Sequence, residues 1–225
     1  MARYNRIEVV LEMQRTGIVP VFYDADFDTC KKVLKACYDG GVRVFEFTNR
    51  GDFAHDVFGE LTTYALSNLP GMMLGVGSIV EQGTAALYMQ LGANFIISPL
   101  VNPEVAKVCN RRKVAWIPGC ATLTEISQAE ELGAEIVKLF PAAQLGGPDF
   151  IKAIKAPCPW TRIMPTGGVT TDKDNLKSWF DAGVDCVGIG SNLFIKNSDG
   201  SYNDVVISKT VKQALDTVSQ IRKNK

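Results

Sequence analysis

The sequence predicts an α/β fold: one closed (β/α)8 TIM barrel spanning residues 1–225, with an additional N-terminal helix before the first strand. Three observations support this. Short β-rich apolar runs alternate with longer amphipathic segments, there are eight such runs, and 225 residues is an ordinary length for this fold. The alternation favours a parallel sheet, and eight strand–helix units favour its closure. An open doubly wound sheet is the alternative, but Asp-Ala-Asp-Phe-Asp follows Tyr23 where that fold would place a Gly-x-Gly-x-x-Gly turn.

The elements follow one another along the whole chain. The eight predicted strands are Ile18–Tyr23, Val42–Thr48, Met72–Ser78, Asn94–Ser98, Ala115–Gly119, Glu135–Phe140, Arg162–Gly167 and Asp185–Gly190. The predicted helices between and after them are Asp28–Asp39, Ala54–Leu69, Glu81–Leu91, Pro103–Arg112, Thr122–Leu132, Pro148–Ala156, Thr171–Asp181 and a final helix within Tyr202–Lys225.

Residues typical of helix ends mark the joints. We expect Asp28, Thr122 and Thr171 to be N-caps, with Thr122 and Glu125 forming a capping box. Glycines that suit a left-handed residue stand before the following strands, at Gly40-Gly41, Gly92, Gly133 and Gly183.

Composition excludes several classes of function. The chain has 24 basic and 24 acidic side chains, so it lacks the basic surplus that binding to a nucleic-acid backbone needs. A small anionic ligand stays compatible with this balance. The single histidine, His55, excludes any mechanism that needs two.

The predicted environment is the cytoplasm. Six cysteines occur without a C-x-x-C pair, which indicates reduced, mostly buried thiols. The longest uncharged stretch, residues 82–103, contains glycine, asparagine and proline, so we expect no membrane span. The charged first residues do not resemble a secretory signal.

The second predicted strand ends in polar residues on one face. Alternation places Glu46, Thr48 and Arg50 on one side and Phe45 and Phe47 on the other. A carboxylate within an apolar run either takes part in proton transfer or pairs with a cation. Both interpretations of Glu46 stay open from the pattern alone.

The sixth predicted strand contains one lysine among apolar residues. Lys138 is therefore expected to face the barrel axis, where burial favours a neutral amine that can attack a carbonyl and form a Schiff base. The structural alternative is a lysine that reaches the strand end or pairs with Glu46.

Glycine-containing turns follow the seventh and eighth predicted strands. Gly167 and Gly168 end one strand, and Gly190 with Ser191 ends the next. Such turns, leading to a helix N-terminus, form the recurrent phosphate site of this fold, and Thr166 and Ser191 add hydroxyls.

A metal site is the weaker interpretation of Asp52, His55 and Asp56. These residues follow a strand end, where a solvated helix start explains them better, and no further ligand stands nearby in the sequence. We therefore predict no metal.

Six segments together resemble a known family. They are residues 40–50 (Gly-Gly-Val-Arg-Val-Phe-Glu-Phe-Thr-Asn-Arg), 75–78 (Gly-Val-Gly-Ser), 97–99 (Ile-Ser-Pro), 117–119 (Ile-Pro-Gly), 137–142 (Val-Lys-Leu-Phe-Pro-Ala) and 165–168 (Pro-Thr-Gly-Gly). In this order they resemble the class I aldolases for 2-keto-3-deoxy-6-phosphogluconate (KDPG) and 4-hydroxy-2-oxoglutarate (KHG). The resemblance implies a trimeric barrel without cofactor or metal that cleaves a 2-keto acid into pyruvate and an aldehyde, with a phosphorylated aldehyde for the KDPG substrate.

The resemblance also implies residue roles. The Schiff-base lysine falls on Lys138, the proton-transferring glutamate on Glu46, and the arginine for the pyruvate carboxylate on Arg50. The remaining positions expected to bind substrate are Thr48, Ser78, Pro99, Phe140, Thr166, Gly167, Gly168, Gly190 and Ser191.

The sequence departs from the family pattern near the barrel mouth. Asn49 and Gly51 replace a more apolar and a threonine-like residue beside the arginine, while Leu100 and Ala143 stand where glycine and glutamate are common. Two alternatives to an aldolase stay open: a sugar-phosphate-binding barrel that serves as a sensor or scaffold, and a phosphosugar isomerase or epimerase.

Overall fold

The computed structural model describes residues 2–224 and confirms the alternation of strands and helices. The helices are α1 (Arg6–Thr16), α2 (Phe27–Asp39), α3 (Ala54–Asn68), α4 (Gln82–Gln90), α5 (Pro103–Arg112), α6 (Leu123–Glu131), α7 (Gly147–Lys155), α8 (Lys173–Asp181) and α9 (Asp204–Lys223). The strands are β1 (Ile18–Phe22), β2 (Val44–Thr48), β3 (Met73–Gly77), β4 (Phe95–Ile97), β5 (Ala115–Ile117), β6 (Gly119–Cys120), β7 (Val137–Leu139), β8 (Ile163–Pro165) and β9 (Val187–Ile189).

The strands form a parallel barrel. One sheet has the order β5-β4-β3-β2-β1-β9 and the other β6-β7-β8. β5 and β6 are two parts of the fifth predicted strand, interrupted at Pro118, which has no N–H for the ladder. On the other side a parallel bridge between Thr166 and Gly188 joins the end of β8 to β9.

Helix α1 covers the N-terminal end of the barrel. Its Val9, Val10 and Met13 are buried in the same apolar cluster as interior residues such as Val44 and Phe95. The backbone before α1 and its first turn bind residues that precede strands: the amides of Arg3 and Tyr4 donate to Asn94, and that of Arg6 to Lys113. The opposite end, where the strands finish, is therefore the one left for a site.

Two predicted helix caps are wrong. The N-cap of α2 is Asp26, whose carboxylate accepts from the amide of Thr29, and that of α8 is Asp172. In each case another aspartate reaches the free amides of the first turn: Asp26 is two positions before the predicted Asp28, and Asp172 directly follows the predicted Thr171. Thr122 does cap α6, and its capping box with Glu125 is confirmed.

The loop after β9 also differs from prediction. Residues 190–203 form turns and one short bridge before α9 begins at Asp204, so Gly190 and Ser191 do not lead directly into a helix. Among residues 2–224, no helix combines the length and the apolar character that crossing a membrane would require.

Candidate active site

A lysine and a glutamate meet inside the barrel. Glu46 lies in β2 opposite Gly75 of β3, and Lys138 lies in β7 opposite Met164 of β8. Their side chains cross the interior, so that Nζ of Lys138 is 3.5 Å from Oε1 of Glu46. The lysine side chain is 8% exposed and the glutamate side chain 1%. The amine and the carboxyl group are thus both almost completely buried in the barrel interior.

Glycines of β3 provide that space. A Cβ atom at Gly77 would overlap Oε1 of Glu46, and one at Gly75 would overlap the ring of Phe95. Any larger residue at position 77 would therefore displace the carboxylate from the lysine. Gly77 is therefore required by the site, and Gly75 by the packing of Phe95.

The Glu46 carboxyl group is tuned by its surroundings. Burial raises its pKa, and the opposing attraction of Lys138 and Arg50 does not cancel this effect. Its second oxygen, Oε2, is buried without a hydrogen-bond partner among residues 2–224. A carboxyl group in this state is able to hold a proton and to release it nearby.

A cavity of about 260 Å³ opens at the C-terminal ends of the strands. Eight residues predicted to bind substrate line it: Thr48, Arg50, Phe140, Thr166, Gly167, Gly168, Gly190 and Ser191. Lys138 and Glu46 lie deeper than the cavity wall. Lys138 is two residues before Phe140, and Glu46 is two residues before Thr48. Nζ of Lys138 is 5.3 Å from the ring centroid of Phe140, which connects the pair to the cavity.

Two predicted residues lie outside the cavity wall. Ser78 follows β3 in a left-handed conformation with φ of 64°. Pro99 follows β4, and its carbonyl group packs so closely on Gly119 that a Cβ atom there would overlap it. Their contact with a substrate stays a prediction.

Sequence reasoning missed part of the wall. The additional lining residues are Val21, Phe22, Tyr23, Val169, Gly188 and Asn192. Half of them come from the end of β1, which lies between β2 and β9 in the barrel. The rule that strand ends line the site of this fold could have identified Tyr23, the last residue of the first predicted strand.

The glycine turns present free backbone donors. Gly167 and Gly168 have positive φ values of 97° and 80°. The amides of Gly167, Gly168, Gly190 and Ser191 donate no hydrogen bond to any other residue in the described part of the chain. The Thr166 hydroxyl is buried and likewise unpartnered within residues 2–224. Such a group of donors suits an anion.

The possible metal ligands do not assemble. His55 Nε2 lies 3.5 Å from Asp56 Oδ1 at the start of α3. Throughout residues 2–224, no three His, Cys, Asp or Glu side chains are grouped so that they could hold a metal ion. All six cysteines are free thiols, and five are buried.

The fold and the site define a (β/α)8 barrel that has a buried amine–carboxyl pair beneath a mouth suited to a small anion. The chain belongs to the KDPG and KHG aldolase family, whose model matches residues 9–207. This confirms the predicted resemblance, and the members of this family are lyases. Membership supports the aldolase interpretation and not the isomerase or the non-catalytic binding barrel.

Individual relatives agree with this assignment. The 2-dehydro-3-deoxy-phosphogluconate aldolase of Haemophilus influenzae is 28% identical over 216 residues, 96% of this chain and 99% of that protein. The Treponema pallidum protein of the same name is 31% identical over 72% of this chain and 76% of its own. The crystal structure of the Legionella pneumophila KDPG aldolase, which holds pyruvate as a covalent carbinolamine, is 26% identical, with a TM-score of 0.81, and covers 90% of this chain and 96% of that one. These matches confirm the barrel.

Glu46 should make folding stability depend on pH. Because its pKa is raised in the folded state, the folded chain keeps a proton that the unfolded chain has already lost above a pH of about 4.3. The free energy of unfolding of the wild type, minus that of Glu46→Gln, should therefore be largest below this pH and fall as the pH rises through the folded pKa. Urea unfolding at a series of pH values measures this difference.

The control is Glu131→Gln at the exposed end of α6. Glu131 is exposed to solvent and has no part in the buried pair, so this variant should not reproduce the slope. A difference for Glu46→Gln that increases with pH would contradict the burial argument.

Proposed function

We propose that this protein is a Schiff-base (class I) aldolase that cleaves a 2-keto-3-deoxy-6-phospho sugar acid to pyruvate and glyceraldehyde 3-phosphate. We also propose 4-hydroxy-2-oxoglutarate, which gives pyruvate and glyoxylate, as a substrate. The observation that carries the proposal is the 3.5 Å approach of Lys138 Nζ to Glu46 Oε1 beneath the cavity. The names of the relatives and the covalent pyruvate of the Legionella structure support it.

The first half of the cycle joins the substrate to Lys138. The neutral amine attacks the C2 carbonyl, and a C–N bond forms while the carbonyl oxygen takes up a proton to give a carbinolamine. The Glu46 carboxyl group gives its proton to the C2 hydroxyl, which leaves as water, so that a protonated imine and the Glu46 carboxylate remain. The imine carbon, C2, is bonded to C3, so the imine can accept the electron pair of the C3–C4 bond.

The second half breaks the carbon–carbon bond. The Glu46 carboxylate accepts the proton of the C4 hydroxyl, C4 becomes the aldehyde carbon, and the C3–C4 electron pair moves into the imine to form an enamine. Protonation at C3 by Glu46 and addition of water to C2 then release pyruvate and restore the amine. A carboxyl group with a raised pKa suits this exchange, and such proton transfer contributes about 10²–10⁴ in rate.

The two ends of the substrate have different binding groups. Arg50 on the cavity wall offers a planar cation for the carboxylate at C1. We assign the other end, the phosphate, to Thr166 and to the amides of Gly167, Gly168, Gly190 and Ser191. Thr48, Ser78, Pro99 and Phe140 complete the proposed substrate-binding set.

We further propose a homotrimer. Phe53, Val80, Leu100 and Leu123 follow the strand segments β2, β3, β4 and β6 on the mouth side, and each is more than 40% exposed. Apolar side chains on adjacent loops are typical of subunit contacts. Sedimentation equilibrium should give about three times the chain mass of 24.5 kDa. A single-chain mass would contradict the proposal.

We place the protein in the cytoplasm, because six free and mostly buried thiols suit a reducing compartment. Cell fractionation tests this placement.

Lys138 should be the site of covalent capture. Borohydride added with pyruvate should reduce the imine to a stable secondary amine, which peptide mass spectrometry locates on Lys138. Lys138→Arg keeps a cation but cannot form the imine, so it should lose both trapping and cleavage. Lys155→Arg, on α7 at the outside of the barrel, is the matched control and should keep both. Cleavage at wild-type rate by Lys138→Arg would refute the mechanism.

The glycine turn should govern affinity for the phosphate end. In Gly168→Ala the new Cβ would overlap Cβ of Ala143, at a position whose φ is 80°. The resulting shift of the turn amides should raise KM for the phosphorylated substrate about 10-fold or more, the worth of one charge-assisted hydrogen bond. Steady-state kinetics measures this.

Gly200→Ala is the matched control, since Gly200 has a φ of 83° and no atom within 4 Å of the added Cβ. Both variants bear a similar backbone strain, but only Gly168→Ala should affect KM. Equal effects would assign the result to strain and not to the anion site.

A further inference from the structure

Tyr23 lies between the two groups of residues that we propose to bind the charged ends of the substrate. It is the first residue after β1, which lies between β2 and β9 in the barrel. Arg50 follows β2 and Gly190 follows β9, and all three residues line the same cavity. A substrate that spans from the arginine to the glycine turns therefore passes the tyrosine.

The position of the Tyr23 side chain depends on a glycine. Its ring packs on Phe47 with centroids 5.6 Å apart. Its hydroxyl lies against Gly51, so closely that a Cβ atom there would overlap the hydroxyl oxygen. Gly51 is one of the departures from the family pattern noted above. Tyr23 and Gly51 thus form a matched pair beside Arg50.

The Tyr23 hydroxyl is available to a ligand. Within residues 2–224 the hydroxyls of Tyr38 and Tyr88 donate hydrogen bonds, whereas that of Tyr23 makes none, and Tyr23 is partly exposed. The nearby polar pair is already occupied: the Tyr88 hydroxyl donates to Oδ1 of Asn49 at 2.9 Å. Burial raises the pKa of Tyr88 to about 12, which keeps that donor protonated. Because Tyr23 lines the cavity, its phenol offers a donor and an acceptor at the end of β1.

The proposed chemistry leaves one substrate group without a partner. Lys138 takes the C2 carbonyl, Arg50 the C1 carboxylate, Glu46 the C4 hydroxyl and the glycine turns the phosphate at C6. The remaining polar group is the neutral hydroxyl at C5, between the reacting carbon and the phosphate. A phenol matches it as both donor and acceptor.

We propose that Tyr23, held in place by Gly51, determines specificity by a hydrogen bond to the C5 hydroxyl of the substrate, which is the 2-hydroxyl of the aldehyde product. The inference rests on the proposed aldolase function. It makes the enzyme selective for 2-hydroxylated phosphoaldehydes. It also makes Tyr23 irrelevant to pyruvate itself.

The test is aldol addition of pyruvate to two aldehydes. Glyceraldehyde 3-phosphate carries the 2-hydroxyl, and 3-oxopropyl phosphate is the same aldehyde without it. In Tyr23→Phe, kcat/KM for glyceraldehyde 3-phosphate should fall about 2- to 13-fold, the worth of one neutral hydrogen bond, while kcat/KM for 3-oxopropyl phosphate is unchanged. Gly51→Ala should shift the preference in the same direction, because its Cβ displaces the hydroxyl.

Controls come from outside the cavity. Tyr38→Phe removes a hydroxyl that donates to the carbonyl of Pro70, and Gly83→Ala adds a methyl group in α4 with no atom closer than 4.0 Å. Neither should alter the preference between the two aldehydes.

Borohydride trapping with pyruvate distinguishes a failure of the proposed aldolase function from a failure of the proposed role of Tyr23. If the wild type forms no adduct, the proposed function fails and this inference falls with it. If the adduct forms and Tyr23→Phe leaves the preference unchanged, or slows both aldehydes equally, only the inference is overturned. Weaker imine formation in Tyr23→Phe would place the hydroxyl at the carboxylate end, and would also overturn it.

Discussion

The buried contact between Lys138 and Glu46 is the constraint on which the rest of this structure depends. Removing one partner of a buried hydrogen-bonded pair typically costs about 1–3 kcal/mol, because the other group is left unsatisfied away from water. The barrel places the two side chains opposite each other in its interior, so that each is the polar partner of the other. Gly77 leaves room for the carboxylate, and burial raises its pKa. The same features that make the pair costly to fold are those that proton transfer requires.

The two ends of the barrel have separate tasks. At the N-terminal end α1 inserts Val9 and Met13 among the interior residues and completes an apolar layer. At the other end the layer is replaced by Thr48, Thr166 and the glycine turns, whose hydroxyls and amides have no hydrogen-bond partner among residues 2–224. Stability and binding are therefore built from different parts of the same strands.

The balance of charge acquires a physical explanation. A chain with 24 basic and 24 acidic residues has no surplus of positive charge, yet within residues 2–224 its cavity is lined by Arg50 and by four amides that donate no hydrogen bond. Backbone dipoles and a single guanidinium suit a small dianion without any net surplus of charge. This arrangement favours a compact metabolite over a polyanion.

The sequence by itself determined the alternation of elements, the eight strands, and the identity of the two ionisable residues within apolar runs, because periodicity and the cost of burying charge are local properties of the chain. It also identified the glycine turns, since tight turns after strands restrict residue choice. It missed Asp26 and Asp172 as caps, because neighbouring polar residues compete within one turn and the sequence does not decide between them. Only the tertiary structure brought Glu46 of β2 to Lys138 of β7, 92 positions apart. It alone placed Tyr23 against Gly51, because barrel closure sets which strand ends are neighbours and how much space lies between them.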